Sequence, residues 1–73
     1  MTLEEMLAQI EADTGLRIRG TGRRQYAVTL WRQRFIKRAM KEGHGRGDIT
    51  RIIQWDHSNT YRLSVRPDLP EQP

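Results

Sequence analysis

Asp56, His57 and Ser58 stand side by side, and they are the residue types of a hydrolytic triad. Adjacency defeats that chemistry: successive side chains on a helix point about 100° apart and do not face one another. The same types suit a different task at the start of a helix. Asp56 is a good N-cap, its carboxylate placed to accept from the N–H of Ser58 or Asn59. Ser, His and Asp reach donors and acceptors on base edges, and Asn59 has the amide that pairs with adenine N6 and N7. Base readout by Asp56, His57, Ser58 and Asn59 therefore stands beside a plainer reading, in which Asp56 only caps and the polar run is only solvated. Other chemistry is excluded more firmly. His44 and His57 are the only histidines, cysteine is absent and there is no HExxH, which speaks against a zinc site. Tyr26 with Arg and His suggests a tyrosine recombinase, but 73 residues cannot build that catalytic domain. No GxxxxGK[ST] occurs, so ATP hydrolysis is not expected. The expectation is a non-enzyme with no cofactor, no metal and no small-molecule substrate.

Two short helices must hold the polar run. Ile49, Ile52 and Ile53 recur at helical spacing, a turn follows at Gln54 and Trp55, and Thr60, Leu63 and Ser64 resume the rhythm. That layout is a helix-turn-helix, whose second helix turns its N-terminal residues to the major groove. Upstream, Thr2 and Glu5 form a capping box for a helix with Leu3, Met6, Leu7 and Ile10 on one face, ended by Gly15. Its acidic outer face makes it a packing brace or a partner or dimer surface rather than a DNA contact. Residues 16–22 read as an extended loop that tucks Leu16 and Ile18 inward and leaves Arg17 and Arg19 outside. Arg23 and Arg24 continue it, and such a loop either follows phosphates or enters a narrow minor groove, or is simply a solvated linker. Residues 25–42 form the longest helix, with Val28, Trp31, Phe35 and Ala39 as its stripe and Ile36 and Met40 alongside. Residues 43–47 are a loop, with Asp48 or Gly47 opening the next helix. The last helix ends near Val65, because the residue before Pro67 avoids the α region. The domain spans residues 1–66, and residues 67–73, with three prolines, read as a disordered tail.

Charge points to the partner. The net charge is +4, yet residues 1–14 carry −4 and the tail −2, so residues 15–66 hold all thirteen cations against Glu42, Asp48 and Asp56. Such concentration is the footprint of a nucleic-acid binder, although acidic membranes and proteins attract it too. Eleven of the thirteen are Arg, the better fork for phosphate and guanine, which favours duplex DNA. No apolar run approaches membrane-spanning length and the first residues lack a signal-peptide pattern, so a cytoplasmic, nucleoid-associated protein is expected.

The segments at residues 28–33 (VTLWRQ) and 48–63 (DITRIIQWDHSNTYRL) resemble the C-terminal DNA-binding domain of the DnaA replication initiator family. Val28, Arg32 and Gln33 match an aliphatic residue followed by Arg-Gln on a long helix. Ile49, Ile53, Asp56, His57 and Ser58 match the aliphatic positions and the Asp-His-Ser/Thr-Thr run. The resemblance implies an all-α fold, a small bundle of about four helices with a helix-turn-helix, similar also to the Trp repressor. It implies base readout by Asp56, His57, Ser58 and Asn59, and a minor-groove arginine at Arg24 with Arg23 in the same basic loop. It further implies phosphate contacts by Arg32, Gln33, Arg46 and Gly47, the last through its N–H. Asn59 replaces the family's threonine, Thr60 an aliphatic residue, Gln54 and Trp55 a Gly-Arg turn, and Trp31 a proline. With no nucleotide-binding module, the chain reads as a small stand-alone protein, such as a phage product, or an excised domain acting in replication or transcription. The alternative is a protein-interaction module or inhibitor that docks on a host replication or regulatory protein or another acidic partner.

Overall fold

The computed structural model describes residues 2–20 and 26–71, and these form four helices and no strand: α1 (Leu3–Thr14), α2 (Tyr26–Lys41), α3 (Arg46–Ile53) and α4 (His57–Val65). The all-α bundle expected from the sequence is what forms. Among the described residues no helix is long and apolar enough to cross a membrane.

α1 starts at the capping box, with the Glu5 N–H donating to Thr2 Oγ1 and the Thr2 N–H to Glu5 Oε1, both at 3.1 Å. It stops where Gly15 turns left-handed (φ 70°) and its N–H donates to the Glu11 carbonyl. Met6, Leu7 and Ile10 face the core, and the acidic side clamps the following loop. Glu11 accepts from the Ile18 N–H at 3.0 Å, and Arg19 bridges Glu11 and Glu4 at 3.2 and 2.7 Å. Ile18 is thereby driven wholly inside, as its alternation with Arg17 and Arg19 predicted.

α2 touches α1, α3 and α4, so more of its circumference is covered than one amphipathic stripe would supply. Phe35, Ile36 and Ala39 are fully buried and Val28 nearly so, as expected. Leu30, outside the predicted stripe, is buried too, whereas Met40 is exposed and Trp31 lies half-buried under the Arg34 guanidinium. α3 opens at Gly45, before the expected Gly47 or Asp48, because its N-cap needs only an extended backbone and not a side-chain acceptor. Ile49, Thr50 and Ile53 pack inward.

The turn after α3 falls where the sequence put it. Gln54 adopts φ 56°, ψ 46°, its N–H donates to the Arg51 carbonyl, and the Trp55 N–H donates to the Thr50 carbonyl at 3.2 Å. This is a Schellman ending with a non-glycine residue in the left-handed position. Asp56 then caps α4, its Oδ1 accepting from the Asn59 N–H at 2.7 Å. Thr60 is buried at little cost, since its hydroxyl donates to the Asp56 carbonyl at 3.0 Å.

Residues 67–71 belong to the segment that composition marks as a disordered tail. They lie along α2, with the Leu69 N–H donating to Gln33 Oε1 at 2.8 Å and the Leu69 side chain against the core. Proline composition removes backbone donors but does not prevent an extended segment from docking where a helix supplies partners. Residues 72 and 73 are outside the described residues.

Candidate nucleic-acid interface

Asp56 and the Schellman turn fix the direction of α4, and burial of Thr60 and Leu63 fixes its rotation. The opposite face is then determined: His57, Ser58, Tyr61, Arg62 and Val65 are all exposed. They fall at i, i+1, i+4, i+5 and i+8, one continuous strip on a nine-residue helix about 13 Å long. A B-DNA major groove about 12 Å wide accepts such a helix.

α3 brings its N-terminus against this strip. The Arg46 guanidinium lies over the Tyr61 ring, 4.7 Å from its centroid. Arg46, Gly47, His57 and Tyr61 line one shallow depression, and His57, Ser58, Tyr61 and Arg62 line a second that shares two of those residues. Gly45 gives α3 no side-chain cap, so the first-turn N–H groups retain the partial positive charge of a helix start. Arg46 and Gly47, expected to hold phosphate, thus adjoin His57 and Ser58, expected to meet bases.

Asp56 and Asn59 stand differently from the rest of the predicted readout set. Both Asp56 oxygens are engaged, Oδ1 by the Asn59 backbone and Oδ2 by the Asn59 side-chain amide at 3.0 Å. Asn59 is half-buried and its Nδ2 is directed back to the cap rather than outward. Tyr61 and Arg62 are the surface residues that motif reasoning passed over. The available signal was helical spacing, which places them one turn beyond His57 and Ser58.

The expected phosphate role of Arg32 and Gln33 is corrected. Arg32 is 5% exposed and Gln33 2%. Arg32 Nε donates to the Ile18 carbonyl at 2.8 Å, its Nη2 donates to the Gly20 carbonyl, and its guanidinium stacks on Trp55, 4.8 Å from the centroid. Burial pushes its pKa below the ordinary value. The Gly20 N–H donates to the Ile53 carbonyl at 2.8 Å, so Arg32 fastens the loop after α1 onto the helix-turn-helix. Gln33 Nε2 faces the carbonyls of Leu63, Arg66 and Pro67 at 3.1–3.3 Å and holds the end of α4. An Arg-Gln pair reads as a surface motif, but α2 is central and both side chains point inward to backbone carbonyls. Arg23 and Arg24, the predicted minor-groove arginines, lie outside the described residues.

α3 and the end of α4 carry further exposed arginines. Arg62 and Arg66 are exposed and make no ion pair among the described residues, and Arg51 is 82% exposed with Asp48 at 3.7 Å. Such a surface can contact phosphates through Arg46 and the α3 N-terminus while the imidazole, hydroxyl and guanidinium of His57, Ser58 and Arg62 reach into a groove. Comparison with protein-family models, curated proteins and solved structures finds no match to this chain.

Proposed function

We propose that this protein binds duplex DNA sequence-selectively through α3, the turn at Gln54 and α4, in a role in replication or transcription control. It would do so in the manner of the DnaA DNA-binding domains it resembles. One observation carries the reading: the outward strip of α4 lies flush with the side-chain-uncapped N-terminus of α3, with Arg46 between them. His57, Ser58 and Arg62 meet base edges; Arg46 and the Gly47 N–H hold the phosphate backbone. Asp56 and Asn59 act on the bases through the helix start they lock.

The test is selection of bound sites from a random duplex pool, followed by anisotropy titrations of the selected site and of random duplex across salt. Arg62→Ala is expected to lower preference for the selected site, by about 1–3 kcal/mol for a bidentate base contact. Arg46→Ala should weaken both duplexes alike and reduce the log–log salt slope by about 0.9. Absence of binding at low salt, or an equal effect of the two substitutions on both duplexes, overturns the proposal. A second reading has one observation in its favour: Tyr61 and Val65, one turn apart, are 48% and 62% exposed, a pair that also suits an acidic protein partner with an apolar centre.

A further inference from the structure

The segment after α4 lays negative charge on α2. Its attachment has two parts of different strength. The inner part is half-buried: Gln33 holds the carbonyls of Arg66 and Pro67 and the N–H of Leu69, whose side chain packs on the core. The Tyr26 hydroxyl also donates to the Pro70 carbonyl. The outer part consists of two carboxylates, Asp68 Oδ1 at 2.6 Å from Lys37 Nζ and Glu71 Oε1 at 3.0 Å from Arg34 Nη2. Asp68 and Glu71 are 87% and 76% exposed, and ion pairs so open to water hold weakly. A polyanion presenting several charges at once outcompetes them without disturbing the anchor.

The covered cations border the proposed interface. Arg34 and Lys37 lie one turn apart on α2, and Lys37 Nζ also donates to the Arg66 carbonyl at 2.6 Å, at the end of α4. Lys37 therefore reaches the end of α4, where Arg62 and Arg66 are exposed, and Asp68 and Glu71 sit on the α2 cations beside it.

We infer that Arg34 and Lys37 are a second phosphate-binding surface, closed in the free protein by Asp68 and Glu71 and taken over by the phosphodiester backbone of bound duplex. This rests on the DNA-binding reading for the identity of the polyanion. The carboxylates let go while Gln33 and Leu69 stay engaged, so the segment raises the selectivity of binding by competing with phosphates that the α4 strip has not already aligned.

Asp68→Asn is compared with Asp13→Asn, which removes the same charge from an exposed position on α1 that has no ion pair among the described residues. Two readouts are taken: the affinity for a labelled 20-base-pair duplex, and the salt needed to elute each protein from heparin. Asp68→Asn should tighten duplex binding by roughly 1.5- to 5-fold relative to Asp13→Asn at the same salt concentration, the weight of one exposed ion pair, and Asp68→Asn with Glu71→Gln should tighten it further. Equal duplex affinities for Asp68→Asn and Asp13→Asn overturn the inference. If no variant binds duplex, the DNA reading fails by itself and heparin decides the closure: later elution of Asp68→Asn than Asp13→Asn supports it, and co-elution overturns it.

Discussion

Replacing Arg32 with alanine separates two opposed views of the same residue. As a phosphate ligand it would be dispensable to the fold; as the strut seen here it is central to it. The substitution removes two hydrogen bonds from a charged donor to the carbonyls of Ile18 and Gly20, together with the stack on Trp55. Bonds to charged groups contribute about 1.5–3 kcal/mol each, and the two carbonyls left behind are costly where water does not reach them. Against this, removing the guanidinium relieves the desolvation that already depresses its pKa. A net loss of about 3 kcal/mol results. For a chain of this size total stability is roughly 4–11 kcal/mol, so the variant is close to unfolding. Urea denaturation followed by circular dichroism should show the midpoint falling by about 2 M or more. Arg32→Met keeps the packing stem without the charge, and should lose about half as much. If Arg32→Ala kept its midpoint and lost duplex affinity instead, the guanidinium would be outside, on phosphate, and the account of α2 would be wrong.

Asp56→Ala removes the cap on Asn59 and should cost about 1 kcal/mol in a thermal melt, while Asp56→Asn, which keeps an acceptor, should cost a few tenths. Equal melts for all three proteins would show that the carboxylate is not holding the helix start. Glu5 is held below its ordinary pKa of 4.5 by hydrogen bonds from the Thr2 backbone and hydroxyl. A depressed carboxylate stabilises the fold above its unfolded pKa, and that contribution is lost as pH falls through the folded value. Stability measured from pH 4.5 downward should therefore decline less steeply in Glu5→Gln, which keeps the capping geometry without the titrating charge. Identical acid limbs would refute the assignment.

Local chemistry made much of the architecture legible in advance. A capping box, a left-handed glycine, an Asp before a polar run and aliphatic residues at helical spacing each act within one or two turns of chain. They accordingly marked α1, the turn at Gln54 and the start of α4, where backbone hydrogen bonds are satisfied by near neighbours. The exposure of His57 and Ser58 followed from the same spacing, since burying Thr60 and Leu63 turns the other face of α4 outward. What distant segments do to one another was not available from that level. Arg32 and Gln33 became internal because α2 passes between the loop at Ile18 and the end of α4, where backbone carbonyls accept from both side chains. Residues 67–71 lie along α2 because those same donors, with Lys37 and Arg34, give a proline-rich segment something to bind. Composition determined that the chain is helical, small and strongly basic over its middle; only the tertiary structure decided which of its cations face water.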